Sequence, residues 1–377
     1  MMQMGNLYAG VVAFLVRIFL DKITKIFKKG KTSIVAVKDV TLEIPGKTFV
    51  GLLGPSGCGK TTTLRIIAGL EKPSSGRVYF DDIDVTDWDA SKRNIAMIFQ
   101  FPALYPTLSV YDNIAIPLRA SKVSEQDIRR QVLEVSEFLG IKDYLSEKAS
   151  KLDINLRQKV AIAKVMVRDP TVFILDEPLT VVEPKARVEL RAKLKEIQLK
   201  LGKSMIYVSH DQSEVMTLSD KIAVMNNGEI LQYDTPENLY NKPRNTFVGW
   251  FIGSPGMNFI DCELIEESGK VYLTTVEGFR YDISFLPNIH DIASLYRKVI
   301  FGIRPEHIAL SSRGIKAKCL HVERLGNMMV LHVEAYGRKI RAKIPQISQI
   351  RVGDEVYIDF NKEKIILFDP KTGKAII

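Results

Sequence analysis

The first 250 residues alternate short, almost wholly apolar runs with polar turns, and a long stretch of helical spacing interrupts this alternation. Apolar runs of about four to eight residues are typical of buried strands, whereas apolar residues about three or four positions apart are typical of helices that face a core. The spacing predicts helices over 62–68 and 185–201 and mostly helical structure over 109–165. Strand-like runs occupy 16–22, 40–44, 49–53, 95–100, 171–177 and 205–210. The pattern therefore predicts an α/β domain with a helical insert.

The pattern changes after about residue 240, where Thr235–Pro236 and Lys242–Pro243 supply turn signals. Short strands at regular spacing then predict a small all-β barrel. These runs occupy 259–263, 271–275, 299–303, 315–323, 328–335, 355–360 and 364–368. We therefore expect one domain over 16–240, with a helical subdomain at about 102–168, and a second domain over 245–377.

A glycine-rich segment joins the predicted strand 49–53 to the predicted helix 62–68. It fits the phosphate-binding loop pattern G-x-x-x-x-G-K-[ST] at every fixed position. Its backbone N–H groups and the helix N-terminus can bind phosphate oxygens, Lys60 can reach the β- and γ-phosphates, and the Thr61 hydroxyl can bind Mg²⁺. A plain glycine-rich turn is the alternative, which the flanking elements disfavour. We predict a nucleoside triphosphate site formed by Gly54, Pro55, Ser56, Gly57, Cys58, Gly59, Lys60, Thr61 and Thr62.

Polar residues end two further predicted strands of the same domain. Asp176 and Glu177 end the apolar run that begins at Thr171, and His210 ends the run that begins at Met205. Parallel sheets bind ligands at the carboxyl ends of their strands. Beside a phosphate-binding loop, Asp176 can hold Mg²⁺, Glu177 can polarise an attacking water, and His210 can hydrogen-bond a γ-phosphate. A turn, a helix cap or a structural histidine is the alternative.

Charge and cysteine content narrow the choice of partners. The net charge of +9 comes from 53 basic and 44 acidic residues. The basic residues are spread along the chain apart from one cluster of lysines between 22 and 31, and no basic stripe is interleaved with aromatic residues. A surface beside a membrane-bound partner is therefore a better interpretation than nucleic acid binding. Three cysteines far apart in the sequence favour a reducing cytoplasm over a disulfide framework.

We set the first fifteen residues apart as an N-terminal extension. The apolar run from Tyr8 to Leu20 is interrupted by Arg17 and is too short to span a bilayer. No positive charge precedes it, which is unlike a signal peptide. We expect no transmembrane segment in this chain, so a role at a membrane would require partner subunits.

Residues of about 16 to 250 resemble the ATP-binding subunit of an ABC transporter. The family's phosphate loop matches 54–62, and its glutamine loop matches Gln100. Its acid-tipped strand matches 172–178, and its switch histidine matches His210. The resemblance implies an α/β P-loop NTPase fold, that of an ABC ATPase with a helical subdomain, and ATP and Mg²⁺ as cofactors.

The end of the chain adds a more specific resemblance. Residues 251–259 and 302–307 are similar to the regulatory domain of sugar-type importer ATPases, the maltose-transporter class. This resemblance implies that the second domain is a small OB-like barrel. It also implies a subunit on the cytoplasmic face of the cell membrane that powers the import of a carbohydrate or a related small solute.

The resemblance further implies partners and additional site residues. Two such subunits sandwich two ATP molecules and drive two transmembrane permease subunits, with an extracytoplasmic solute-binding protein as an indirect partner. Gln100 would contact Mg²⁺, and the segment after it would dock on the permeases. Phe27, which we expect in a turn ahead of the phosphate loop, matches the family's adenine-stacking aromatic residue.

The chain departs from the family at the signature Leu-Ser-Gly-Gly-Gln, which in the family caps the γ-phosphate held by the opposite subunit. Asp153 would bring a negative charge towards that phosphate. Side chains at 154 and 155 replace glycines that allow close approach and unusual dihedral angles. The residues at this degenerate signature are Leu152, Asp153, Ile154, Asn155 and Leu156.

The loop after the acid-tipped strand, which in the family crosses the subunit interface, is also altered. Here Thr180-Val181-Val182-Glu183 stands where the family has Ser-x-Leu-Asp. Residues that act on this subunit's own nucleotide thus look intact, and residues given to a partner look changed. Our hypothesis is an asymmetric heterodimer with a second ATPase whose signature is intact, and a homodimer would hydrolyse ATP weakly. A regulatory or scaffold subunit with impaired hydrolysis is the alternative. A soluble ABC protein that acts on DNA or ribosomes is disfavoured by the sugar-type second domain.

Overall fold

The computed structural model describes residues 16–30, 32–346 and 349–377. Our expectations for residues 1–15 lie outside the described residues. The chain divides into two compact units, one ending at Pro236 and the other running from Glu237 to Ile377. Each unit has its own hydrophobic core, and each is described by itself.

The first unit combines a six-stranded sheet, a four-stranded antiparallel sheet and helices. Its strands are β1 (Ile18–Lys29), β2 (Thr32–Ile44), β3 (Phe49–Leu53), β4 (Ser75–Phe80), β5 (Ile83–Asp84), β6 (Ile95–Ile98), β7 (Val172–Asp176), β8 (Ser204–Val208), β9 (Lys221–Asn226) and β10 (Glu229–Asp234). Its helices are α1 (Lys60–Ala68), α2 (Val110–Ala120), α3 (Glu125–Phe138), α4 (Ile154–Met166), α5 (Pro184–Leu201) and α6 (Gln212–Leu218).

The six-stranded sheet brings distant parts of the sequence to one edge. Its order is β10-β9-β3-β8-β7-β6, and all neighbours are parallel except β10 and β9. Every residue of β3 and β8 is buried, as expected for continuous apolar runs in a parallel sheet. Only β8 separates β3 from β7, so the segments that follow these three strands lie side by side.

The antiparallel sheet, with the order β2-β1-β4-β5, differs from the prediction. Its first strand does not end at Lys22 but continues for seven more residues, to the end of β1. Lys22 has a φ of 50°, and the register with β2 shifts on both sides of Ile23, so bulges break the regular pattern that strand prediction uses. Phe27 therefore lies in a strand, opposite Ile34, and our expectation of a turn was wrong.

The helical region between β6 and β7 contains α2, α3 and α4, as predicted. Serine side chains begin two of these helices, because the Ser109 and Ser124 hydroxyls accept the N–H groups of Asp112 and Asp127 at 3.0 and 3.2 Å. The segment 139–153 between α3 and α4 contains only short 3-10 turns, so the predicted helical stretch over 109–165 is less continuous than expected.

The second unit confirms the predicted all-β domain. Its antiparallel sheets have the orders β13-β12-β11-β14-β19 and β17-β16-β15-β18, and they share one core. Its strands are β11 (Asn258–Glu267), β12 (Lys270–Thr274), β13 (Arg280–Asp282), β14 (Lys298–Ile303), β15 (Ile308–Leu325), β16 (Met328–Ala335), β17 (Arg338–Pro345), β18 (Glu355–Phe360) and β19 (Ile366–Phe368). The remaining helices among the described residues are α7 (Pro236–Asn241), α8 (Thr246–Phe251) and α9 (Ile289–Leu295). No helix within the described ranges is long and apolar enough to cross a membrane.

A buried arginine fixes the end of α1, the helix that follows the glycine-rich segment. Arg93 is 3% exposed, and its guanidinium donates to the carbonyl oxygens of Ile66 at 2.9 Å and Ile67 at 2.8 Å. It also donates to the carbonyl oxygens of Thr86 at 3.0 Å and Trp88 at 3.1 Å. The first two bonds satisfy carbonyl groups of the last helical turn, of which the Ile66 carbonyl also accepts the Gly69 N–H at 3.2 Å, and the positive charge complements the helix dipole.

We expect Arg93→Met to lower the free energy of unfolding of the first unit by about 3 kcal/mol, because charge-assisted hydrogen bonds are lost while the carbonyl groups stay buried. Equilibrium unfolding in urea, followed by circular dichroism, measures this change. Arg77→Met is the matched control, since Arg77 forms an exposed ion pair with Asp84 at 3.1 Å and should contribute less than about 0.5 kcal/mol. Equal effects of the two substitutions would contradict the stabilising role of Arg93.

Candidate functional site

The glycine-rich segment connects β3 to α1 at the C-terminal edge of the six-stranded sheet. Gly59 has a φ of 106°, and a Cβ atom there would lie 2.4 Å from the carbonyl oxygen of Ala36, so only glycine fits. A Cβ atom on Gly54 would lie 2.2 Å from the carbonyl oxygen of Met225. The segment is therefore a tight turn that leads into the N-terminus of α1, where backbone N–H groups lack helical partners and favour anions.

Lys60, the first residue of α1, is buried and folds back over this turn. Its Nζ donates to the carbonyl oxygens of Gly54 at 2.7 Å and Pro55 at 3.0 Å, and it lies 3.7 Å from the Sγ atom of Cys58. These neutral acceptors hold the ammonium group against the loop. The positive charge is thus concentrated beside the N–H groups of the helix N-terminus.

A cavity of about 270 Å³ opens beside the loop. Glu177, which follows β7, shares the lining of this cavity with residues of the loop and of α1. The other lining residues are Ala36, Ser56, Gly57, Gly59, Lys60, Thr61 and Thr62. The fold therefore brings a carboxylate from a distant part of the sequence to the phosphate-binding pattern.

Glu177 and His210, which follow neighbouring strands, lie in contact. His210 Nδ1 is 3.3 Å from Glu177 Oε2, and the Thr180 hydroxyl donates to the same oxygen at 3.2 Å. Glu177 has a φ of 50°, unusual for a residue other than glycine, and its N–H donates to the Val208 carbonyl oxygen at 2.9 Å. Strained residues held by their surroundings are concentrated at functional sites. A carboxylate oriented in this way can accept a proton from a water molecule.

Oxygen ligands suited to a divalent cation lie at the same edge. The Thr61 hydroxyl oxygen is 3.5 Å from Asp176 Oδ1. Burial and, secondarily, the neighbouring Glu177 carboxylate raise the pKa of Asp176, so a bound cation would favour its charged form. Among the described residues, no group of three or more His, Cys, Asp and Glu side chains could hold a metal ion. The residues fit Mg²⁺, which usually takes one or two carboxylates together with substrate phosphates.

Two other predicted site residues lie apart from this cavity. Gln100 is half-buried just beyond the end of β6, and no hydrogen bond in the described part of the chain joins its side chain to Thr61 or Asp176. Phe27 is 39% exposed in β1, and Lys25 Nζ lies 5.0 Å from the centroid of its ring. Neither Gln100 nor Phe27 lines the cavity.

The residues at the altered signature begin α4. Asp153 is the N-cap, and its carboxylate accepts the N–H of Leu156 at 2.8 Å, as a serine hydroxyl also can. Ile154 and Asn155 form the first turn of the helix, and neither has a positive φ. Both positions therefore have backbone conformations that residues other than glycine adopt without strain. The helix start is preserved, although a carboxylate and two larger side chains now stand there.

A second cavity, of about 410 Å³, lies between the segment after β6 and the helices α2 and α4. Its lining includes Phe99 and Phe101, both exposed, and the cations Lys164 and Arg168. Burial lowers the pKa of Lys164, whose Nζ donates to the Ala103 carbonyl oxygen at 3.1 Å. Exposed aromatic side chains in a concave surface are typical of a binding groove. The sequence gives no sign that Lys164 and Arg168 lie beside these aromatic residues, because about sixty positions separate them along the chain.

Family models match both units of the chain. The ABC transporter model matches residues 37–180, the MalK OB fold domain model matches 253–308, and the TOBE domain model matches 301–368. A solved dimeric structure of an ATP-binding cassette, in a post-hydrolysis state bound to ADP and Pi, is 29% identical with a TM-score of 0.54. The match covers 58% of this chain and 98% of that chain.

Curated relatives match almost the whole chain. The trehalose/maltose import ATP-binding protein MalK of Thermococcus litoralis is 43% identical over 362 residues, which are 91% of this chain and 96% of the relative. The oligosaccharides import ATP-binding protein MsmX of Bacillus subtilis is 39% identical over 352 residues, which are 90% of this chain and 95% of the relative. The chain therefore belongs to the ATP-binding proteins of ABC transporters, in the group whose ATPase domain is followed by MalK-type OB and TOBE domains.

Proposed function

We propose that this chain hydrolyses ATP to power the import of a carbohydrate or a related small solute across a membrane. The observation that carries the proposal is the cavity shared by Glu177 and the phosphate-binding loop, with His210 in contact with Glu177. The solute class is supported by relatives that are named for trehalose/maltose import and for oligosaccharide import.

Different groups around the cavity bind the phosphates, accept a proton from the attacking water and bind the cation. Backbone N–H groups of the loop and the ammonium group of Lys60 bind the β- and γ-phosphates. Glu177 accepts a proton from the water that attacks the γ-phosphorus, while the Thr180 hydroxyl and His210 orient its carboxylate. His210 also donates a hydrogen bond to a γ-phosphate oxygen. The hydroxyl of Thr61, which also lines the cavity, is left to bind the cation.

Thr61, Asp176 and Gln100 would hold Mg²⁺, and the cation supplies neutralisation of the phosphate charge when it is bound. The positive charge would keep Asp176 ionised in spite of its raised pKa. Phe27 would stack on the adenine base, and its exposed ring in β1 supports this role.

The partners that we propose are two transmembrane permease subunits, so the chain would be peripheral on the cytoplasmic face of the membrane. The groove lined by Phe99, Phe101, Lys164 and Arg168 would take a cytoplasmic segment of a permease. An extracytoplasmic solute-binding protein would act indirectly, by delivering solute to the permeases, and no nucleic acid is involved.

We also propose that the working assembly is an asymmetric ATPase heterodimer. The groups that act on this chain's own nucleotide are present, whereas Asp153 would bring a carboxylate to the N-terminus of α4, towards the partner's γ-phosphate. Two like charges about 4 Å apart repel by about 1 kcal/mol even in water and by more when they are desolvated. A second ATPase with an intact signature would complete the site built on Lys60, Glu177 and His210.

A second candidate function is a nucleotide-binding regulatory or scaffold subunit with impaired hydrolysis. The carboxylate of Asp153 is the observation that favours it, because in a homodimer this group would oppose phosphate at both sites. The retention of Glu177 beside His210 favours the transport ATPase.

We expect Glu177→Gln to lower kcat for ATP by about a hundredfold or more, with little change in KM, because a general base is lost while phosphate binding remains. Steady-state ATP hydrolysis by the chain mixed with its partner ATPase measures the effect. Glu196→Gln is the control, since Glu196 pairs with Lys193 and Lys200 on the surface of α5. A mixture that stays fully active with Glu177→Gln would make this chain the regulatory half.

We expect the chain alone to hydrolyse ATP weakly, and Asp153→Ser to raise its kcat about tenfold, because like-charge repulsion is removed while the N-cap is kept. ATP turnover by the purified chain at several protein concentrations measures this. Asp153→Asn separates the loss of the negative charge from the gain of a serine hydroxyl, since it removes the charge, retains the cap and lacks the hydroxyl. Brisk, cooperative turnover by the unaltered chain alone would contradict the heterodimer proposal.

A further inference from the structure

A side chain at the start of α4 is hydrogen-bonded to the loop that follows β7. Asn155 is the second residue of α4, and its Oδ1 accepts the N–H of Glu183 at 3.1 Å. Because a backbone N–H group can only donate, the oxygen of the Asn155 amide is the atom that faces it. The glycine of the family signature has no such atom, so this bond results from the substitution in this chain.

The loop that ends at Glu183 also carries the carboxylate of the site. The Thr180 N–H donates to the Glu177 carbonyl oxygen at 3.3 Å, and the Val182 N–H donates to the Leu179 carbonyl oxygen at 3.0 Å. Leu179 and Val182 are buried, so the loop is a compact turn and not a free segment. The Thr180 hydroxyl, within this turn, donates to Glu177 Oε2. Movement of the Glu183 end would therefore change the position of the Thr180 hydroxyl and of the carboxylate.

We propose that Asn155 is a positioning residue for Glu177 of its own subunit. The inference rests on the proposed ATPase function, because it concerns the group that activates water. Asn155 acts through the loop: it fixes the N–H of Glu183, and with it the turn that holds Thr180 against Glu177. A signature residue, which the resemblance assigns to the opposite subunit's nucleotide, thereby also serves the catalytic carboxylate of its own chain.

A separate ion pair joins α4 to α5, the helix that begins directly after Glu183, and provides a control. Lys159, one turn after Asn155 in α4, has its Nζ 3.0 Å from Oε1 of Glu189, within α5. In the described part of the chain, neither of these two side chains bonds to residues 177–183. Lys159→Met should therefore weaken the contact between α4 and α5 without changing the loop.

Steady-state ATP hydrolysis by the assembled dimer tests the inference. We expect Asn155→Ala to lower kcat about fivefold, equivalent to about 1 kcal/mol, with KM for ATP unchanged. Lys159→Met should retain kcat to within about twofold, because it leaves the loop in place. Asn155→Asp keeps an acceptor oxygen for the Glu183 N–H, so we expect hydrogen exchange over 178–183 to stay as slow as in the unaltered chain.

Hydrogen exchange of the full chain, followed by mass spectrometry, provides a measurement that does not depend on turnover. We expect faster exchange over 178–183 in Asn155→Ala and unchanged exchange over 157–166, where α4 continues. Unchanged exchange in the loop would overturn the inference.

The kinetic outcomes distinguish this inference from the proposed function. An unchanged or higher kcat for Asn155→Ala in an otherwise active dimer would overturn the inference alone. A raised KM with a constant kcat would assign Asn155 to nucleotide binding and would also overturn the inference. Absence of hydrolysis by the unaltered assembly would reject the proposed function and the inference together.

Discussion

Close backbone packing around the glycine-rich loop is the constraint on which the rest of the site depends. The N–H of Gly228 donates to the Cys58 carbonyl oxygen at 3.1 Å, and the Gly228 carbonyl oxygen accepts the N–H of Lys38 at 2.8 Å. Together with the approaches that exclude a Cβ atom at Gly54 and Gly59, these bonds lock the loop between the β9–β10 turn and β2. The N-terminus of α1, with its unpaired N–H groups, is thereby held beside the cavity.

Opposite charges are gathered at this edge by the order of three adjacent strands. β3 leads to Lys60, β7 leads to Asp176 and Glu177, and β8 leads to His210. Burial and, secondarily, the neighbouring Glu177 carboxylate raise the pKa of Asp176, so a cation bound at this edge would favour the charged form of Asp176. In the function that we propose, a nucleotide with its divalent cation would supply phosphate oxygens to Lys60 and positive charge to the two carboxylates.

Folding and binding place different demands on the altered signature. A helix N-cap accepts serine or aspartate almost equally, so Asp153 satisfies the local structure of α4. Binding to a phosphate differs strongly between the two residue types, because a serine side chain is neutral and an aspartate side chain is negatively charged. The chain can therefore retain the family fold while the contribution that we propose for its signature at a partner's site is changed, and Asn155 has a contact within its own subunit.

The sequence by itself determined the features that are local or that repeat at a fixed spacing. The phosphate-binding pattern, the buried strands β3, β7 and β8 and the all-β second unit follow from short apolar runs and from residue types at fixed positions. It missed β4, β5, β9, β10, β13 and β17 and ended β1 too early, because bulges and strand pairing depend on neighbouring strands that are distant in the sequence. Only the tertiary structure decided that Arg93 bonds to the end of α1, that His210 contacts Glu177 and that Asn155 bonds to Glu183. Each of these contacts joins segments that are far apart in the sequence and that only folding brings together.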